Sequence, residues 1–227
     1  MKLSMRGSSG LVYVTEVSDA LRDQAEILLR LIASREPVAD GDHACVRLDW
    51  GIAKLERRGD EIVVEEPNYR GDPRRFVPGL NFTCAVLRAH QRVHERLCVG
   101  AEPVHYDQFM LVYPGGMTAG RIAAIRQATE REKDTGWRVF DGARIDWAAE
   151  PEARYVYEVA GERPALMAVL SLPVGWAVRL EGETLMEAAP PTGTGERIAI
   201  RMAVQLCNDS SLGRESACIR AIGQVRV

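Results

Sequence analysis

The chain has 227 residues, 46% of them apolar and 27% charged, with 29 Lys and Arg against 32 Asp and Glu. That balance excludes a disordered or collagen-like chain, and a formal charge of -3 argues against a protein that grips nucleic acid through a basic face. No run approaches the roughly 18 apolar residues that span a bilayer, and the polar residues 1–10 lead into no secretory apolar core, so a cytoplasmic protein is expected.

In chain order, a first helix is expected over residues 18–33. Ser18 stands as its N-cap, Asp19 suits the positive helix start, and Leu21, Ala25, Leu28, Leu29 and Ile32 recur at helical spacing. Pro37 closes it, and Ala39-Asp40-Gly41-Asp42 reads as a loop. Residues 45–50 and 52–55, then 62–64 beyond the Arg58-Gly59-Asp60 turn, read as a β-hairpin. Residues 65–78 hold Pro67, Gly71, Pro73 and Pro78 and read as loop. A second helix is expected over 80–99, where Phe82, Val86, Ala89, Val93 and Leu97 form an apolar stripe, Asn81 is the cap and Gly100 the stop.

Past Pro103 the pattern turns to strands, at 108–113, 121–127, 137–140 and 174–180, with a short helix over 163–170. The expected fold class is α+β: a helix-hairpin-helix N-terminal half and a mainly antiparallel β C-terminal half with a short helix. Three segments are expected: an N-terminal α+β extension over 1–100, a second domain over 101–187, and a linker and tail over 188–227. Pro190, Pro191, Gly193 and Gly195 mark the linker. The last segment carries five Arg against three acids, or +2, leaving -5 for the rest of the chain.

His90, His94 and Cys98 recur at i, i+4 and i+8 of the second expected helix. Two His at that spacing can share a zinc ion, but Gln91 stands where H-E-x-x-H carries its general base. The outer two positions lie about 12 Å apart at 1.5 Å rise per residue, so a third ligand would come from elsewhere, such as His105. The plainer expectation is a helix whose His rows flank its apolar stripe, with no metal and no cofactor. Cys45, Cys84, Cys98, Cys207 and Cys218 are odd in number and lack C-x-x-C spacing, so they read as reduced, mostly core residues. No G-x-S-x-G or P-loop occurs. Glu130, Glu132, Asp134, Asp141 and Asp146 could pair for hydrolysis, but Arg126, Arg131, Lys133 and Arg138 among them fit a solvated face. Trp137, Trp147 and Trp176 lie near Arg138, Arg144 and Arg179, residue types that dominate protein–protein hot spots, with core filling as the alternative.

The stretch Lys133-Asp134-Thr135-Gly136-Trp137-Arg138-Val139-Phe140-Asp141-Gly142 resembles the D-S-G-W-R-F-F-x-G signature of the thirty-third numbered immunity-protein family of bacterial polymorphic toxin systems. Residues 109–116, 121–132 and 155–170, and Pro173-Val174-Gly175-Trp176, stand in the family's other places, so the resemblance covers about residues 105–183. Residues 13–100 are similar to the helix-hairpin-helix extension of longer members. One departure is that Ala143-Arg144-Ile145 replaces the acidic run that follows the signature. The resemblance implies binding and not catalysis: not an enzyme, but an immunity protein that binds a cognate toxin domain and blocks it sterically. The expected partner-binding set is the polar and aromatic group around the signature: Asp134, Arg138, Asp141, Arg144, Asp146 and Trp147. The alternatives are an adaptor or scaffold domain that binds protein, and a metal-dependent enzyme using His90 and His94. No nucleic-acid or membrane partner is expected.

Overall fold

The computed structural model describes residues 1–34, 43–190 and 198–203, the last stretch by its backbone. The chain divides into two compact units, Met1–Arg88 and Ala89–Val227.

The first unit is built on a six-stranded mixed sheet. Strands β1 (Lys2–Arg6) and β2 (Val12–Glu16) pair antiparallel ahead of helix α1 (Arg22–Ala33). Strands β3 (His43–Leu48), β4 (Gly51–Arg58) and β5 (Glu61–Pro67) then run as an antiparallel meander. The order is β1-β2-β5-β4-β3, with β2 parallel to β5 and a short β6 (Phe76–Pro78) also on β5. Ala25, Leu28, Leu29 and Ile32 of α1 are buried, as are Tyr13, Leu48, Leu55, Ile62 and Val64 of the sheet. Each large side chain among them contributes about 1.5–3 kcal/mol.

Helix α2 (Asn81–Leu97) follows, and the boundary between the units falls within it. Its first turn is capped from a distance. The buried Glu66 carboxylate on β5 accepts the Phe82 and Thr83 amides at 2.8 and 2.7 Å. Burial pushes that carboxyl upward, against the pull of the two donors. Asn81, the expected cap, instead accepts the Ser18 amide through Oδ1 at 2.7 Å. At the other end Cys98, not Gly100, takes the left-handed stop (φ 52°), and the Val99 amide reaches back to the His94 carbonyl at 3.2 Å.

The expected helix-hairpin-helix half is therefore corrected: the first unit is mainly strand. Residues 1–16 supply two strands where a polar stretch was expected over 1–10: Leu3, Leu11, Tyr13 and Val14 are buried, while Lys2, Ser4 and Glu16 face out. The β2–β5 pairing joins residues about fifty positions apart, and a short-range pattern carries no trace of it.

The second unit holds a seven-stranded sheet, ordered β10-β7-β9-β8-β11-β12-β13. Its strands are β7 (Phe109–Val112), β8 (Arg121–Arg126), β9 (Asp134–Asp141), β10 (Glu152–Tyr155), β11 (Ala177–Glu181), β12 (Thr184–Ala189) and β13 (Ile198–Ala203). Helices α3 (Val156–Glu162) and α4 (Pro164–Met167) lie between β10 and β11. The sheet is mixed, not simply antiparallel, because β7 runs parallel to β9. The unit's core includes Met110, Ile122, Trp137, Val139, Val156, Leu166, Leu170 and Leu180.

The loop expected at Ala39-Asp40-Gly41-Asp42, the linker glycines Gly193 and Gly195, and Cys207 and Cys218 lie outside the described residues. Of the other cysteines, Cys84 is buried and its thiol pushed far up by burial, whereas Cys45 and Cys98 are exposed and not core residues. No helix among the described residues is long and apolar enough to cross a membrane.

Candidate functional site

The signature occupies β9, and most of its polar chemistry is turned inward. Between Phe109↔Asp134 and Leu111↔Arg138 the β7–β9 register slips by two residues, so Thr135 and Gly136 form a bulge. Gly136 sits at φ 82°, and a Cβ there would lie 2.1 Å from the Gln127 carbonyl oxygen. That closeness lets the Gln127 amide donate to the Gly136 carbonyl at 2.8 Å.

Asp134 and Arg138 flank the bulge. The Arg138 guanidinium donates from both terminal nitrogens to the two Asp134 oxygens at 2.9 and 2.8 Å, while Asp134 Oδ1 also accepts the Gly136 amide at 2.9 Å. Burial acts to raise the Asp134 carboxyl, but Arg138 and the Gly136 amide outweigh it and hold the group below the usual aspartate range. The Asp134 side chain is 1% exposed and that of Arg138 11%. These two residues therefore leave the expected exposed set: they clamp the bulge.

Arg126, expected on a solvated face, is instead buried and completes the scaffold. The buried Arg126 guanidinium donates through Nε to the Thr135 carbonyl at 3.1 Å, and through one terminal nitrogen to the carbonyls of Glu102 (2.7 Å) and Leu172 (2.5 Å). Burial lowers its pKa, opposed by the Glu102 carboxylate 4.0 Å away. Trp137 is fully buried and its indole N–H donates to the Leu170 carbonyl at 3.0 Å, so this Trp belongs to the core. Nothing in the local sequence marks Arg126. The glycine inside the signature is the one signal that the motif is a backbone device.

The remaining four residues of the set follow β9. Strand alternation sends Phe140 to the face opposite Trp137. Tyr113 stacks on Phe140 (centroids 4.2 Å apart), and Trp147 meets Phe140 edge-on at 4.5 Å. Phe140 is fully buried beneath them, while Trp147 stays half-exposed. Asp141 Oδ1 accepts the Ala143 amide at 2.9 Å and Asp146 Oδ1 the Ala148 amide at 3.0 Å, so each aspartate forms a turn. Arg144 projects between them, its side chain 83% exposed and 3.9 Å from Asp146. Gly115 is at φ 82°, and a Cβ there would press on Asp141 at 3.1 Å, which brings the Pro114-Gly115-Gly116 turn against this loop.

His90 and His94 are both engaged by protein groups. His90 is buried and Nε2–H donates to the Met167 carbonyl at 2.6 Å, which leaves Nδ1 as a bare lone pair with no partner. His94 donates Nδ1–H to the Val99 carbonyl at 3.2 Å and accepts the Ser171 hydroxyl at Nε2 at 2.9 Å. Among the described residues no group of three or more His, Cys, Asp or Glu could hold a metal ion. Burial, with the nearby His94, drops the His90 pKa from 6.5 to about 4, against the pull of the Met167 carbonyl. The folded state therefore keeps His90 neutral where the unfolded chain protonates it. Between pH 6.5 and about 4 the unfolded state binds more protons, so stability falls as pH falls, by about 3 kcal/mol in all. Urea denaturation at pH 7 and pH 5 should show that loss beginning, and His90→Gln should flatten the slope. An unchanged slope in the variant would assign the pH dependence to other groups.

The second unit is thus a mixed sheet whose motif residues lock its own strands, with a separate aromatic and charged loop at one end. Residues 89–189 match the family model described as the Imm33-like domain. Over these residues the chain is similar to the immunity-protein-33-like family, and the match opens at Ala89, the first residue of the second unit. No curated protein and no solved structure matches the chain.

Proposed function

We propose that this chain is an immunity protein that binds a cognate toxin domain and blocks it sterically. The contact is made by the loop that follows the signature: Asp141, Arg144, Asp146 and Trp147. The Imm33-like match supports a protein partner, in a family generally without enzymatic activity. The observation that carries the placement is the division of labour along β9. Asp134, Gly136, Trp137 and Arg138 are consumed by the scaffold, while Trp147 rests half-exposed on a buried Phe140 and Arg144, in the same loop, is exposed. A propped Trp beside an Arg is the composition of a hot spot.

The test is co-expression with the toxin encoded by the neighbouring gene, read as growth rescue and as a complex on gel filtration. Absence of both would refute the proposal. For the placement, Asp141→Asn and Asp146→Asn keep the oxygen that holds each turn and remove only its charge. Combined with Trp147→Ala, they should weaken binding by about 10- to 100-fold while the chain stays folded. Unchanged affinity in the triple variant would move the interface elsewhere.

A further inference from the structure

Residues 89–189 carry 11 Lys and Arg against 15 Asp and Glu, a net of -4. Residues 141–162 alone account for it, with six acids (Asp141, Asp146, Glu150, Glu152, Glu158 and Glu162) against Arg144 and Arg154. The rest of the matched segment is balanced, nine against nine. The same stretch holds Ile145, Trp147 and Tyr155, exposed by 46%, 48% and 42%. They are three of the four large exposed apolar side chains that the described part of this unit contains, the other being Val174.

The fold makes one continuous border of this stretch. Strand β10 is the outer strand of the sheet, and its Glu152 pairs with Val112, next to Tyr113 of the aromatic base. From there the chain runs along the sheet edge to Tyr155, which stacks on Tyr157 at 5.3 Å, and into α3. Arg154 is shared among Glu152, Glu158 and Glu162, so one cation faces three carboxylates. The strand itself is a poor template for another strand. It is four residues long, and the Tyr155 amide is taken by the Glu158 carboxylate at 2.8 Å. The border therefore offers side chains, not backbone.

We infer that the border from Asp141 to Glu162, with Trp147 and Tyr155 as apolar anchors, is the docking face for a cationic surface of the toxin domain, one that presents several Lys or Arg around an apolar centre. This rests on the proposed immunity function and adds the chemistry of the partner. Excess carboxylates on one border attract such a surface and speed its approach, an effect that salt screens. The apolar anchors govern how long the complex lasts.

The probe is the purified toxin domain encoded by the neighbouring gene, mixed with the full chain in stopped flow. The association rate should fall at least tenfold between 50 and 300 mM NaCl. Glu150→Lys with Glu152→Lys changes exposed carboxylates, brings the segment to neutrality, and should slow association at low salt at least tenfold with little change in dissociation. The same charge change at Glu181 and Glu187, on β11 and β12 at the other side of the sheet, should leave most of the rate intact. Equal slowing by both pairs, or a rate indifferent to salt, would overturn the inference while leaving the immunity reading in place. Absence of any complex would overturn both.

Discussion

Replacing Gly136 with alanine should destabilise the second unit by about 3–4 kcal/mol, a large share of the roughly 5–15 kcal/mol that holds a domain together. Two costs add. An L-residue at φ 82° is strained by about 1–2 kcal/mol. The larger cost is steric, because the new methyl would stand 2.1 Å from the Gln127 carbonyl oxygen, which belongs to the backbone and cannot swing aside. To relieve it, β9 must draw away from Gln127 and surrender the 2.8 Å bond between them and the Asp134 contact to the Gly136 amide. Urea denaturation followed by tryptophan fluorescence measures the loss, and hydrogen exchange at residues 127 and 134–138 localises it. A loss below 1 kcal/mol would show that the bulge can rearrange freely, and the structural reading of the signature would fail.

Arg126→Met should cost a similar amount, about 3–5 kcal/mol, although Met fills much of the same volume. The guanidinium serves the carbonyls of Thr135, Glu102 and Leu172, and a thioether leaves all three without their donor in a buried site. Each orphaned acceptor costs about 1–3 kcal/mol. Arg126→Lys should recover only part of the loss, because a point charge cannot span the divergent carbonyls that a planar fork reaches. Denaturation midpoints of the two variants check this order. Lys matching wild type would mean that charge and not geometry is what the site uses. Neither substitution touches the proposed docking border, so folded fractions of both variants should still bind the toxin domain.

Several elements were legible from local pattern. The apolar stripes of α1 and α2 and the turn at Gly59-Asp60 need only neighbours within a few residues, and they stand where spacing places them. The signature also pointed to the family whose model matches residues 89–189. The overall class was not legible. β1, β6 and β10 are short and weakly patterned, and each becomes a strand through a partner distant in sequence or set beyond a loop. Side-chain exposure was hidden in the same way. Asp134 and Arg138 look like surface charges in a list of residues, because nothing in the sequence says that a two-residue bulge will fold them onto each other.

The amino-acid sequence alone carried the helices with their apolar faces, the glycine-bearing signature and the clustering of acids over residues 141–162. These depend on composition or on contacts a turn apart. Tertiary structure decided which charges are spent inside and which are offered outside. Burial depends on what lies across the sheet: Arg126 meets carbonyls as many as 46 residues away, whereas Trp147, seven residues beyond Phe140, folds back to cover it and keeps its outer side bare.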